Sequence, residues 1–116
     1  DLVRLKTLRE VLDIICPSPI DPAILSASVE IETALENIHK QYRLYLIDTC
    51  IENTKTLAKY IASKSCPHPK ERKLPVLFAC YRHLGSCYCH KGNVQKSFSL
   101  LKKAEALFKR NKGIIN

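Results

Sequence analysis

Three side chains that could bind a metal ion fall on one stripe of a predicted helix. Cys80, His83 and Cys87 are spaced at i, i+3 and i+7, and residues at this spacing share one helix face. Zinc prefers four sulfur and nitrogen ligands, and Cys66 or His68 in the preceding loop could supply the fourth. Alternatively, Cys80 and Cys87 are small core residues, with His83 at the edge of the stripe and reaching solvent. Because the sequence has no CxxC pair, we favour the core interpretation and expect no metal and no cofactor.

The six cysteines bear on the compartment in which the chain works. Four of them fall within helical patterns: Cys50, Cys80, Cys87 and Cys89. Cys87 and Cys89 point in different directions on a helix, so they cannot form a disulfide there. Thiols stay reduced inside cells, and we expect free cysteines and an intracellular protein, cytoplasmic or nuclear. The alternative is a secreted, cytokine-like helical bundle with three disulfides.

Signals of catalysis are absent from the sequence. Glu30, Glu32 and Glu36 are the closest group of carboxylates, and their setting in a helical pattern favours solvated surface charges over a catalytic pair. The sequence contains no phosphate-binding loop, no nucleophile elbow and no metal-hydrolase motif. We therefore expect no enzyme activity and no catalytic residues.

Basic charge is concentrated in the C-terminal half of the chain, whose overall net charge is +8. Residues 1–58 hold 6 basic and 9 acidic side chains, a net charge of −3. Residues 59–116 hold 13 basic and 2 acidic side chains, a net charge of +11. The basic side chains in and around the last predicted helix are Lys91, Lys96, Lys102, Lys103, Lys109, Arg110 and Lys112. Such a surface attracts acidic proteins, anionic lipids or nucleic acid.

Among these partners, the aromatic residues favour an acidic protein. Proteins that bind single-stranded nucleic acid stack bases on aromatic side chains. The two aromatic residues of the last helix, Phe98 and Phe108, both fit its predicted core stripe, so nucleic acid is the weaker alternative. No apolar run approaches the roughly 20 residues that cross a bilayer, and we expect no membrane partner.

Hydrophobic periodicity predicts an all-α chain. An amphipathic helical pattern covers residues 2–15 and ends at the prolines within residues 16–19, because proline cannot continue a helix. Residues 23–65 contain no Gly or Pro and carry apolar residues at helical spacing. A single helix of this length would be unusual in a small domain, so we expect a break near residues 39–41.

Stronger stop signals divide the C-terminal half. Two prolines within residues 66–70 end the preceding helix. After a charged lead-in, a helix should run from Leu74 or Pro75 to His90. Gly92 then suits the left-handed cap of a tight turn.

The last predicted helix completes the fold class. It covers Val94–Arg110, with Val94 and Phe98 at the start of its core stripe, and residues 109–116 should fray. We predict about five helices in an antiparallel array or bundle, forming one domain over residues 1–116. Because the chain begins with Asp rather than Met, we expect it to be part of a larger helical protein.

A regular pattern of aromatic, small and large residues spans the turn at Gly92. Its members are Tyr81, Leu84, Gly85, Tyr88, Ser97, Leu101 and Ala104. Over residues 78–111 this pattern resembles one tetratricopeptide repeat, a helix-turn-helix unit with a signature of this kind. The resemblance implies that these seven residues form the contact between the two helices, with Gly85 allowing a close approach. Because one such unit cannot bury both its faces, the remaining helices or a partner must cover it.

The same resemblance implies a ligand-binding groove on the first helix of the pair. The groove-facing stripe would consist of Ala79, Arg82, His83, Ser86, Cys89 and His90. Some family members hold a peptide's terminal carboxylate with Lys and Asn on this helix. Arg82 could replace that Lys, whereas Ser86 stands at the place of the Asn.

These observations favour a non-catalytic protein-interaction module or scaffold that binds a peptide or a partner helix. The predicted partner-binding residues are Arg82, His83, Ser86, Cys89, His90, Lys96, Lys102 and Lys103. The first five lie on the groove helix and the three lysines lie on the basic last helix. The secreted helical bundle and the nucleic-acid-binding domain remain as alternatives.

Overall fold

The computed structural model describes residues 31–64 and 66–115. Its five helices are α1 (Ile31–Arg43), α2 (Ile47–Ala62), α3 (Lys70–His90), α4 (Val94–Arg110) and α5 (Lys112–Ile115). No strand occurs in this part of the chain, and the predicted all-α helical array is confirmed. The predicted helix at residues 2–15 lies outside the described residues.

The first helical hairpin turns at Tyr45 rather than near residues 39–41, so the predicted position of the break was wrong. Tyr45 has a φ of 60°, a left-handed conformation that disfavours bulky side chains. The Leu46 N–H donates to the Gln41 carbonyl (3.0 Å), and the Tyr45 N–H donates to the Tyr42 carbonyl (3.0 Å). These two bonds form a Schellman cap, which ends α1 without a glycine.

The second hairpin uses the same cap at the predicted position. Gly92 has a φ of 80°, which glycine adopts without steric cost. Its N–H donates to the Cys89 carbonyl (3.0 Å), and the Asn93 N–H donates to the Tyr88 carbonyl (2.9 Å). The Asn93 side chain then accepts a bond from the Lys96 N–H (3.2 Å) and caps the start of α4.

Helix α3 begins earlier than predicted. It starts at Lys70, so the charged lead-in is helical and Pro75 lies inside the helix instead of at its first position. The Arg72 side chain also anchors this first turn, because it donates two hydrogen bonds (2.9 and 2.8 Å) to the Glu32 carboxylate of α1. The guanidinium beside Glu32 lowers the pKa of that carboxyl.

The core lies where α1, α2 and α3 meet, and α3 contacts every other described helix. Its largest fully buried side chains are Ile31, Ile38, Cys50, Thr54, Leu57, Ile61, Cys80 and Cys87. Two polar side chains, Gln41 and Asn53, are also buried. They satisfy each other, since the Asn53 amide donates to the Gln41 side-chain oxygen (3.2 Å) across the α1–α2 interface.

Helix α4 packs on α3 with fewer of its apolar residues than predicted. Ser97 and Ala104 are buried and Gly85 faces Leu101. Val94 and Phe98, however, are exposed, so the predicted core stripe was wrong at the start of α4. The face that meets α3 is instead built around small residues.

The chain after α4 does not fray as predicted. Helix α5 follows a turn at Asn111, whose carbonyl accepts bonds from Ile114 and Ile115 (3.0 and 3.1 Å). Ile115 is 8% exposed, and α5 packs against α3. The prediction of fraying rested on the basic residues of this segment. It overlooked that burial of Ile115 holds the short helix against α3.

The two hairpins repeat the same topology at a longer interval than a tetratricopeptide repeat. Their turn residues, Tyr45 and Gly92, are 47 positions apart, whereas that family has a period of about 34 residues. The added length lies in the connection before Lys70 and in the start of α3. This helix begins about two turns before residue 78, where the resemblance starts.

Candidate functional site

A groove between α1 and α3 contains several of the predicted partner-binding residues. Its open cleft of about 280 Å³ is lined by His39, Tyr42, Ala79, Arg82, His83 and Ser86. Four of these residues come from the predicted stripe on α3. His39 and Tyr42 come from α1 and form the opposite wall. We call this cleft the α1–α3 groove.

Two histidines meet across the α1–α3 groove. The Nε2 atoms of His39 and His83 are 3.1 Å apart, and the rings contact edge to face with centroids 4.2 Å apart. Burial, together with the neighbouring His39 and Arg82, lowers the pKa of His83 to about 4. His83 is thus partly buried and neutral at pH 7, whereas the sequence suggested a solvent-exposed side chain.

His90 is the other histidine of α3 that contacts α1. Its Nε2 atom lies 3.0 Å from the hydroxyl of Tyr42, and its ring is 5.3 Å from that of Tyr45. Tyr42 also contacts the ring of His83, with centroids 5.7 Å apart. The side chains of α1 therefore cover part of the stripe that the sequence predicted to be open.

His39 and Tyr42 were not among the sequence-predicted site residues. They lie three positions apart, so the sequence indicates that they share a face of α1. Spacing alone does not predict which helix this face contacts. A second opening on the same side, of about 380 Å³, extends along α1 past His39 and includes Glu36 and Arg43.

The buried cysteines do not join His83 in a metal site. Cys80 and Cys87 are fully buried in the core, whereas His83 lines the groove. Burial raises the pKa of the Cys80 thiol to about 12, which disfavours the thiolate that metals need. Across residues 31–64 and 66–115, no three His, Cys, Asp or Glu side chains are placed to hold one ion. Cys80 and Cys87 thus belong to the core, and His83 belongs to the groove.

A second candidate surface lies on α4. Val94 is 70% exposed, Phe98 59% and Leu101 44%, and their i, i+4, i+7 spacing places them along one side of the helix. We call these three residues the α4 apolar surface. The Lys102 ammonium lies 4.7 Å from the Phe98 ring centroid. Lys102 therefore lies next to exposed apolar side chains here.

The remaining predicted partner-binding residues are accessible. Arg82 is exposed beside the groove, and its guanidinium lies 5.7 Å from the Phe78 ring. Cys89 is exposed on α3, and Lys103 is exposed on α4. Lys96 is exposed and lies 4.9 Å from the ring of Tyr88. Arg82, His83 and Ser86 thus line the groove. The predicted lysines lie on α4, and Cys89 and His90 lie on α3 outside the residues that line the cleft.

Comparison with known proteins finds no matching family model, no matching curated protein and no matching solved structure. Within the described part of the chain, no helix combines the length and the hydrophobicity that crossing a membrane requires. The likeness of residues 78–111 to a tetratricopeptide repeat stays a prediction.

Proposed function

We propose that this chain is a non-catalytic interaction module of a larger intracellular protein and binds an amphipathic, acidic helix of a partner. The observation that carries the proposal is the α4 apolar surface with Lys102 beside it. Contiguous exposed apolar side chains commonly mark interaction sites. The i, i+4, i+7 spacing suits a partner that presents apolar residues at the same interval.

The charges around the surface favour an acidic partner. From residue 72 to the C-terminus the sequence has one acidic residue, Glu105, and its carboxylate contacts the Lys109 ammonium at 2.9 Å. Lys96, Lys102 and Lys103 carry no such pair in the same helix, and all three are exposed. Lys102 lies beside Phe98, where a carboxylate of the partner would meet it, whereas Lys96 and Lys103 lie on the other side of α4. The net positive charge of this half favours fast association with acidic partners and selects against basic ones.

The α1–α3 groove is a second candidate site, for an extended peptide. Its cleft exposes Arg82, which could pair with a peptide carboxylate, and the tetratricopeptide resemblance implies a groove at this place. Neutral His83 and the His39 ring narrow the cleft. The α4 apolar surface is favoured because Val94 and Phe98 are more than half exposed, whereas His39 and Tyr42 of α1 contact His83 and His90 of the groove-facing stripe.

Free thiols support an intracellular setting. The five cysteines of the described residues are unpaired, and four of them are buried: Cys50, Cys66, Cys80 and Cys87. A helical core with these thiols suits the reducing environment of the cytoplasm or nucleus. The secreted, disulfide-bonded bundle is the alternative that thiol titration addresses.

The test uses a fluorescein-labelled amphipathic peptide with leucines at i, i+4 and i+7 between glutamates. Phe98→Glu and Val94→Glu should each weaken its binding at least ~10-fold in fluorescence anisotropy, because hot-spot apolar residues contribute more than about 1.4 kcal/mol. Leu44→Glu is the matched control, since Leu44 is also an exposed aliphatic residue (46%) but lies on the α1–α2 turn. Equal binding by Phe98→Glu and wild type would contradict the proposal.

Further arms separate the alternatives. A peptide with lysines in place of glutamates should bind poorly, and Arg82→Gln should leave binding unchanged unless the groove is the true site. Binding of a single-stranded oligonucleotide at low salt, lost steeply as salt rises, would instead indicate nucleic acid. A dimer in sedimentation, abolished by Phe98→Glu, would indicate that a second copy covers the α4 apolar surface.

A further inference from the structure

We propose that His39 and His83 form a binding site for a divalent transition-metal ion in the α1–α3 groove. The two side chains come from different helices and their Nε2 atoms are 3.1 Å apart. Imidazole nitrogen is a preferred ligand of Zn²⁺, Ni²⁺ and Cu²⁺. This site is independent of the α4 apolar surface and of the Cys80–His83–Cys87 hypothesis.

The separation of the two nitrogens fits joint coordination of one ion. Zinc–nitrogen bonds are about 2.0–2.1 Å long. Two such bonds to nitrogens 3.1 Å apart meet at an angle of about 98°. This value lies between the roughly 90° of tetragonal Cu²⁺ or Ni²⁺ sites and the roughly 109° of tetrahedral Zn²⁺ sites. The ring centroids, now 4.2 Å apart, would have to move apart by roughly half an ångström for both Nε2 lone pairs to point at one ion.

Solvent would complete the coordination shell. Both rings line the open cleft of about 280 Å³, which has room for several waters at about 30 Å³ each. No third His, Cys, Asp or Glu of the described residues is placed to ligate the same ion. The site would therefore hold the ion with two protein ligands and leave open positions.

Coordination by both rings requires that each Nε2 atom be unprotonated. In the hydrogen-bonded pair one Nε2 atom carries a proton. That proton moves to solvent while the Nδ1 atom of the same ring takes one up, so both Nε2 lone pairs become free without a net change in charge. The Arg82 guanidinium opposes cation binding.

Calorimetric titration of the whole chain with Ni²⁺ and Zn²⁺ tests the site. His39→Gln and His83→Gln should each weaken binding by about 10-fold or more, given the sensitivity of metal sites to their ligands. The matched controls are His68→Gln and His90→Gln, which remove the other two histidines. Arg82→Gln should strengthen binding, because it removes a neighbouring positive charge.

Two results would overturn the proposal. One is unchanged Ni²⁺ affinity in His39→Gln, a variant expected to fold because His39 is exposed. The other is loss of binding in Cys89→Ser, which would assign the ion to the exposed thiol. Nitrogen-15 spectra of the imidazoles add an independent readout: diamagnetic Zn²⁺ should shift the Nε2 signals of His39 and His83 strongly, and those of His68 and His90 far less.

Discussion

A Cβ atom at Gly85 would lie 2.8 Å from the Cγ atom of Leu101. Contacts this short force a neighbour to move, and overpacking of this kind costs about 1–3 kcal/mol. Alanine would meanwhile favour the helix by about 1 kcal/mol over glycine. We therefore expect Gly85→Ala to lower the free energy of unfolding by about 1 kcal/mol, measured by urea denaturation.

A variant of Leu101, the residue that faces Gly85, provides the control for this prediction. Leu101→Ala removes both atoms within 3 Å of the added methyl group, Cγ and Cδ2. In that background Gly85→Ala should become neutral or stabilising, since only its helix propensity remains. The same loss of stability in both backgrounds would show that Leu101 is not the obstacle.

The buried amide pair predicts a larger effect on stability. Asn53 is 2% exposed and donates to Gln41, which is 5% exposed. Asn53→Ala would leave the Gln41 oxygen without this donor, which costs about 1–3 kcal/mol of unfolding free energy. The double variant Gln41→Leu/Asn53→Leu should recover part of the loss, because it removes both groups of this hydrogen bond. A double variant less stable than Asn53→Ala would contradict this account.

His83 predicts how stability depends on pH. Its folded-state pKa of about 4 lies below the ordinary value of 6.5. Between those values the unfolded chain binds a proton that the folded chain does not, so stability falls as the pH falls from 6.5 to 4 and then levels. After allowing for partial exposure, we expect a loss of about 1–3 kcal/mol.

Urea denaturation of wild type and His83→Gln at pH 7, 5 and 4 measures this contribution. Glutamine does not titrate, so the stability of wild type relative to the variant should decrease with falling pH. His90→Gln serves as the control and should keep the wild-type pH dependence. A difference that stays constant with pH would show that His83 has an ordinary pKa.

The cysteines predict a biphasic reaction with a thiol reagent. Cys89 is exposed and should react at once, whereas the thiols of the core are shielded and should react only as the chain unfolds. Cys80 is slowed further because its raised pKa, about 12, leaves little thiolate at pH 8. Cys89→Ser should remove the fast phase among the described residues. Six thiols released in denaturant would exclude the secreted alternative, and none would exclude the intracellular one.

The two hairpin turns show why spacing predicted one boundary and missed the other. Gly92 predicts its turn, because glycine adopts a positive φ without steric cost. Tyr45 adopts the same conformation, against the preference of its side chain, and no local residue signals it. The Tyr45 ring contacts the His90 ring of α3, a contact between distant segments that no local pattern predicts.

The helix–helix contact could likewise be predicted in the second hairpin but not in the first. Gly85 and Ser97 are small, so a close approach of α3 and α4 could be inferred from residue types. At the equivalent positions the first hairpin has Ile38 and Cys50, with the Cys50 sulfur 3.7 Å from the Ile38 carbonyl oxygen. No small-residue pattern marked this contact, so a second unit was not recognisable before the helices were placed.

Residue order alone was enough to specify helices, their apolar faces and the basic charge of the C-terminal half, because these depend on neighbours within a few positions. Tertiary packing decided which faces stay open. It buried Cys80 and Cys87, left Phe98 in solvent and brought His39 to His83 across 44 positions. Such pairings are set by how helices fit against one another over the whole core, and no local pattern encodes them.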